Sequence, residues 1–390
     1  MKGIDSARKA RVCIYGEQIA DALDGNVIGG AELQAALLAR SLAATGWNVT
    51  VVDPRAAADA ATVEGIAIRS VPGWYGGIRG IRVFTHRIPD LVRICLSVKP
   101  AVYYVRGFSF LFMVLLVLAR LTGALFFLAV ASDLDLTGFR RRYASFYRRN
   151  TSLWRWISEI IPNHLTARII LACADGVFYQ HEAQEALLRR PGILLPNIVG
   201  EDVSRISPPA SRENVLMVGL LAAQKGIREL IPVIRRLPGI TFEFIGAPSG
   251  QDGENIREEL RQCPNVVLHG QLRRTDTLQR IAGANVLLNV SPAEGFPNTF
   301  LEAWALGTPV VSLSVDPAGV ISRYGLGFVC GGDMEVLFRL LRSGGFTVDP
   351  ARLSGYVRDH HSMAAAARLF AAAAQEAGYK RGLEKEAIAI

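Results

Sequence analysis

The stretch SPAEGFPNTFLEAW, Ser291 to Trp304, places two carboxylates, Glu294 and Glu302, eight positions apart on either side of a Gly-Phe-Pro-Asn turn. The apolar run NVLLNVSP before the turn reads as a strand, and NTFLEAWALG after it reads as a helix closed by Gly307. Glu294 then stands at the carboxyl end of a strand, the side of an open α/β sheet on which ligands bind. The amides of Phe296, Asn298 and Thr299 fall at a helix N-terminus, a place that favours an anion such as a diphosphate. Gly295 admits close approach of the backbone, and Pro297 stiffens the turn without needing a donor. Glu302, about one turn into the helix, can accept hydrogen bonds from vicinal hydroxyls such as those of a ribose. Acidic residues near a helix start are also favoured for electrostatic reasons alone. That structural reading suffices for Glu302 by itself, but not for the whole phrase.

Two other places put polar groups after apolar runs. In ASDLDLTG, Ser132 and Asp133 follow a strand, and Asp133 with Asp135 makes an Asp-x-Asp pattern. Such a pair binds a metal only if both carboxylates reach one oxygen-rich position. We read Ser132 and Asp133 instead as cleft-facing groups on an acceptor side, with no metal. Gly29, Gly30 and Glu32 mark a helix start, which serves either as turn and cap or as a loop flexing over phosphates and acceptor. His86, His164, His181 and His269 show no ligand spacing. No G-x-G-x-x-G follows a strand and no Walker sequence is present, so the common dinucleotide and nucleoside-triphosphate fingerprints are excluded. The cysteines Cys13, Cys95, Cys173, Cys263 and Cys330 form no C-x-x-C pair, so reduced, buried thiols are expected rather than a zinc site or disulfides.

The elements that must position these residues repeat a simple pattern. RVCIYG, a helical GGAELQAALLARSLAATG and NVTVVD make a β-α-β opening, the unit of parallel sheets. AVYYVRG, LFFLAVAS and GVFYQ continue the series as near-continuous apolar strands. The run FSFLFMVLLVLARLTGALFFLAVAS is long enough to span a bilayer, but Arg120 interrupts it and LTG is a helix-stop signal. It reads as a helix followed by a buried strand. Around LLPNIVGEDVSRISPPASREN the pattern breaks into Pro, Ser, Gly and charges, as in a linker. A second series then begins with VLMVGLL, TFEFIG, NVVLHG, NVLLNVSP and PVVSLSV. The expected domains are an N-terminal Rossmann-like unit at 1–196, a second at 211–370, and a helical tail at 371–390.

SPAEGFPNTFLEAWALGTPVVS resembles the donor-site signature of glycosyltransferase family 4, retaining enzymes of the α/β GT-B fold with two doubly wound parallel-sheet domains facing a cleft. The resemblance implies that Glu294 contacts the donor sugar, that Glu302 binds the nucleotide ribose, and that Gly295 through Asn298 offer amides to sugar and phosphate. VLMVGLLAAQKGIRELI is similar to the segment in which a lysine binds the diphosphate, which would make Lys225 that residue. NVVLHGQL resembles the strand and loop that hold the base through backbone groups near His269 and Gly270, and GGAELQAALLARSLAATGWNVTVV the N-terminal glycine-rich loop and first helix. Two departures stand out. Leu220 occupies the place where many members carry an arginine on the diphosphate, which removes a charge-assisted contact, and DPAGVI lacks a glutamate that often follows the glycine pair. The implied activity is transfer of a sugar from a nucleotide-diphosphate donor to a saccharide or polyprenyl-linked saccharide, with Glu294, Lys225 and Asp133 as the catalytic set and neither metal nor other cofactor. A GT-B-like binding or scaffold subunit that has lost catalysis is the alternative favoured by Leu220. A metal-dependent GT-A enzyme using Asp133 and Asp135 would not need the glutamate pair or Lys225.

Charge distribution adds one expectation. The formal net charge is +8, from 43 basic and 35 acidic residues. Between Phe139 and Ser158 lie six arginines and no acid, interleaved with Tyr143, Phe146, Tyr147, Trp154 and Trp156. Arginines among aromatic rings suit an anionic membrane surface, and no nucleic-acid-binding fold accompanies them. The N-terminus is basic without an apolar stretch behind it, so a cytoplasmic protein, peripheral at the inner face of the membrane, is expected.

Overall fold

Strands that are apolar on both faces require covers on both faces, and the chain supplies them by alternating strand and helix. The computed structural model describes residues 10–26, 29–57, 61–78, 81–136, 161–209 and 211–381. The basic, aromatic segment 139–158 lies outside the described residues, and with it the membrane-surface expectation. The chain forms two units, residues 1–198 with 363–390, and residues 199–362.

Among the described residues, the first unit holds eight strands: β1 (Arg11–Tyr15), β2 (Asn48–Val52), β3 (Ala61–Val63), β4 (Ile66–Arg69), β5 (Val102–Arg106), β6 (Leu125–Ala129), β7 (Gly176–Tyr179) and β8 (Ile193–Leu194). Their order is β3-β4-β2-β1-β5-β6-β7-β8, parallel except for the β3–β4 hairpin. The long apolar run resolves as the sequence suggests: a helix Leu111–Thr122, a stop at Gly123 with φ 75°, and the fully buried β6. No helix among the described residues is long and apolar enough to cross a membrane.

The second unit is a parallel sheet of β9 (Glu213–Val218), β10 (Phe242–Ile245), β11 (Val266–Gly270), β12 (Ala284–Asn289), β13 (Val310–Ser312) and β14 (Gly327–Val329), in the order β11-β10-β9-β12-β13-β14. From β9 the chain winds outward through β10 to β11, then returns to β12 on the other side of β9. The topological switch point, where ligands bind in sheets of this kind, therefore lies between β9 and β12.

The expected boundaries differ from these units at both ends. The segment read as a linker is not free chain. Asn197 accepts from Arg106 at 2.7 Å, Val203 is buried, and the turn Glu201–Arg205 packs into the second unit. The helix Met363–Lys380 returns to the first unit instead of splitting at residue 370. Phe370 explains this, because its ring sits 5.5–5.9 Å from those of Trp47, Tyr104, Phe127 and Phe178. Each such contact adds about 0.5–1.5 kcal/mol beyond simple burial. Ala366, Ala367, Ala373 and Ala374 are buried beside it, small enough to let the helix lie close. Cys173, at the end of helix Ile161–Cys173, is exposed, in contrast to the buried thiol expected; the other four cysteines are buried.

Candidate active site

The loops that leave β9 and β12 flank the switch point, and each delivers one charged group. Lys225 closes a short 3-10 turn, Ala223–Lys225, and Glu294 lies in the segment between β12 and the helix Asn298–Ala305. Lys225 Nζ donates to Glu294 Oε1 at 2.5 Å across 69 residues of sequence. Their side chains retain 32% and 21% exposure. An ion pair that wet stabilises a fold by at most about 1 kcal/mol. Two opposite charges at a switch point are better explained as groups placed for a ligand.

Gly226 makes this approach possible. Its φ is +68°, and a Cβ there would lie 2.4 Å from the carbonyl oxygen of Val290, at the end of β12. The two loops touch backbone to backbone, so Gly226→Ala meets both a left-handed conformation and an immovable oxygen. It is expected to lower the stability of the second unit by about 1–3 kcal/mol and to weaken ligand binding in parallel, read by thermal melting with and without nucleotide. Unchanged melting would contradict the close approach.

The turn between the glutamates behaves in part as the sequence suggests. Pro297 caps the helix with extended geometry and supplies no side-chain acceptor, and the Phe300 amide reaches back to its carbonyl at 3.1 Å. Gly295, Asn298 and Thr299 are half-buried around this helix start, where the first amides point out of the helix. Phe296 is different. Its ring is buried, edge-on to Trp304 at 6.3 Å, so its side chain anchors the turn in the core and cannot itself contact a ligand.

Glu302 is buried, and it is not alone. Arg274, at the start of helix Arg274–Gly283, donates NH1 to Glu302 Oε1 at 2.5 Å and binds Asp202 through Nε and NH2. Burial pushes the Glu302 carboxyl above its ordinary range; Arg274 pulls it back, and Asp202 adds to the rise. Burial also opposes the Arg274 charge, but Glu302 and Asp202 more than restore it and hold the guanidinium above its ordinary value. Sequence reasoning missed both Arg274 and Asp202. The only signal was an arginine pair just past a strand, and the stretch containing Asp202 looked like a linker.

His269 and Gly270 lie at the carboxyl end of β11. His269 Nε2 is 2.6 Å from Glu243 Oε2, so its ring is tied to the neighbouring strand. Gly270 adopts φ +68°, and its carbonyl accepts from the Gly246 amide at 2.7 Å. Leu220 is partly exposed after β9, where it offers no charge.

In the first unit, Asp133 starts the 3-10 turn Asp133–Leu136 after β6. Its Oδ1 accepts from Gln184 at 2.9 Å and lies 3.2 Å from His181 Nε2. Burial works against the Asp133 charge, yet the hydrogen bonds from His181 and Gln184 outweigh it and hold the carboxyl below the usual range. Asp135 turns the other way, its Oδ2 accepting from the amides of Ala131 and Ser132 at 2.9 and 3.0 Å. The two carboxylates of the Asp-x-Asp pattern are thus engaged by different partners. Among the described residues, no group of three or more His, Cys, Asp or Glu side chains is placed to hold a metal ion. Gly29 is the cap residue of helix Gly30–Ala44, and the Glu32 carboxylate lies 2.2 Å from where a Gly29 Cβ would stand. The glycine gives Glu32 room to fold back over the helix start, which favours the capping role.

The sheet order, the switch-point pair and the helix start after β12 mark one candidate ligand site, and the sequence comparisons fall on the same segment. Residues 212–341 match the family model "Glycosyl transferases group 1". The matched segment holds Lys225, Arg274, Glu294 and Glu302. A lipopolysaccharide core biosynthesis glycosyltransferase, LpsE of Rhizobium meliloti (strain 1021), is 30% identical over 119 residues, 30% of this chain and 34% of that protein. A processive diacylglycerol alpha-glucosyltransferase of Acholeplasma laidlawii is 24% identical over 211 residues, 47% of this chain and 63% of that protein. The chain thus matches about a third and under two thirds of these relatives' lengths. The solved sucrose-phosphate synthase of Thermosynechococcus elongatus shares the fold over 93% of this chain and 100% of its own, with TM-score 0.69 and 20% identity. The chain has the GT-B architecture of two Rossmann-like parallel-sheet units.

Proposed function

We propose that the protein is a retaining glycosyltransferase that moves a sugar from a nucleotide-diphosphate donor to the hydroxyl of a saccharide or lipid-linked saccharide. The observation that carries this reading is the Lys225–Glu294 pair at 2.5 Å, joined from the two loops that flank the switch point. In transfer, the bond between the anomeric carbon and the diphosphate oxygen breaks, and a new bond forms from that carbon to the acceptor oxygen. The acceptor proton passes to the departing diphosphate. Lys225 and the amides at Asn298 and Thr299 stabilise the charge that gathers on the leaving group, the contribution that commonly dominates such catalysis. Glu294 orients the donor sugar, and Glu302 holds the ribose. These groups supply the neutralisation without a metal. In the first unit, Ser132 and Asp133 are the groups we assign to acceptor binding. The names of the two sequence relatives, one from lipopolysaccharide core synthesis and one acting on diacylglycerol, support a lipid-linked acceptor in cell-surface glycoconjugate synthesis.

The test is a thermal-shift panel of nucleotide sugars, followed by transfer to lipid-extract acceptors with and without chelator. A ligand present at 100 times its dissociation constant adds about 2.7 kcal/mol of stability. One nucleotide sugar is expected to stand out and to be turned over in the presence of chelator. Leu220 favours one other reading, a subunit that binds the donor without transferring it. Tight nucleotide binding with no turnover on any acceptor would select that reading.

A further inference from the structure

Arg274 belongs to none of the motifs that mark the site, yet it is the most enclosed cation in it. Its side chain is 9% exposed and lies between carboxylates from two separate segments, Asp202 of the turn Glu201–Arg205 and Glu302 of the helix Asn298–Ala305. All three guanidinium nitrogens are engaged: NH1 with Glu302, Nε and NH2 with Asp202. It therefore does not replace the arginine that is missing at Leu220, because a diphosphate clamp requires an open edge of the fork. Its position suggests another task. A buried carboxylate that is to accept hydrogen bonds from hydroxyl groups has to be ionised and fixed in one orientation. A cation on one oxygen opposes the rise that burial imposes, fixes the orientation, and leaves the other oxygen for the ligand.

Building on the reading of Glu302 as the ribose contact, we propose that Arg274 is a positioning residue for nucleotide recognition. It holds Glu302 by Oε1 so that the remaining oxygen meets the ribose hydroxyls, while Asp202 fixes the rotamer of Arg274 in turn. The planar fork bridges two carboxylates on opposite sides, a geometry that lysine, with a single point charge, does not reproduce. The charged groups facing Glu302 are Arg274 and Asp202. On the side of the helix Pro350–His360, Tyr356 packs on Trp304, and beyond that helix His361 packs on Phe296.

The test is calorimetric titration of wild type, Arg274→Met, Arg274→Lys and Asp202→Asn with UDP, GDP and ADP, and with the 2′-deoxy form of the one that binds. Each is repeated from neutral to mildly acidic pH. Wild type is expected to prefer the ribonucleotide by about tenfold, the worth of one hydrogen bond to a charged group. Arg274→Met should lose that preference and bind progressively more weakly as pH falls, because Glu302 then protonates without its opposing cation. Arg274→Lys should restore the wild-type pH profile but not the full preference, and Asp202→Asn should erode the preference alone. If both Arg274 variants fold and keep the wild-type preference and pH profile, the inference fails and the site reading survives. Wild type that binds none of the nucleotides, or that does not distinguish ribose from deoxyribose, overturns the reading of Glu302 and this inference with it.

Discussion

Lys225→Ala is expected to lower kcat for sugar transfer by about 10²–10³-fold, the range for losing one preorganised group at a developing charge. The same substitution should move the thermal midpoint little, because the Lys225–Glu294 pair is partly solvated and contributes at most about 1 kcal/mol to the fold. This combination of a large kinetic loss and a small stability change separates a group placed for catalysis from one placed for architecture. Glu294→Gln is expected to fall in the same range, and the double variant to be little worse than either single one, since residues in direct contact do not act additively. Steady-state kinetics on the four proteins, with melting curves beside them, decide the matter. A Lys225→Ala enzyme that keeps half its kcat would remove Lys225 from the mechanism.

The second large effect is on stability. Glu302→Ala is expected to destabilise the second unit by about 3 kcal/mol, the low end for removing one member of a buried ion pair. The loss sits at the low end because Asp202 still holds the guanidinium. Replacing both partners, Glu302→Leu with Arg274→Met, should recover most of that loss, since well-packed apolar groups often match or exceed a buried pair in stability. Both proteins should bind the ribonucleotide about tenfold or more weakly than wild type and no longer distinguish it from its 2′-deoxy form. Urea unfolding combined with nucleotide titration checks both halves. If Glu302→Ala unfolds with less than about 1 kcal/mol of change, the pair is not buried in the sense argued above.

Much of this was legible before folding. SPAEGFPNTFLEAW announces a strand end, a stiff turn and a helix start, because Gly, Pro and the apolar spacing each restrict the backbone locally. Lys225 was marked only by the resemblance of VLMVGLLAAQKGIRELI to a known segment, and the close approach at Gly226 was not. The alternation of apolar runs and helical stretches fixes two parallel-sheet units, since strands without a polar face cannot be left uncovered. The stop at Gly123 inside the long apolar run is likewise local, and it separates helix from strand correctly.

Three features were not legible, and they share a cause. Arg274 gives no local signal, because an arginine after a strand is usually solvated; only the turn carrying Asp202 and the helix carrying Glu302 enclose it. The segment around Asp202 reads as a linker from its Pro and Ser content, yet Val203 is buried and Asp202 binds across 72 residues of sequence. The Asp-x-Asp pattern offers a metal on paper, while Gln184 and His181 take one carboxylate and backbone amides take the other. The sequence by itself determined the elements and the parallel-sheet class of the two units, and it marked Glu294 and Glu302 as candidates, because those depend on short-range backbone preferences and on spacing. Only the tertiary structure decided which charges are enclosed together, where the last helix returns, and which acids remain available to a ligand. Burial and ion pairing depend on groups far apart in the chain, and no local pattern records them.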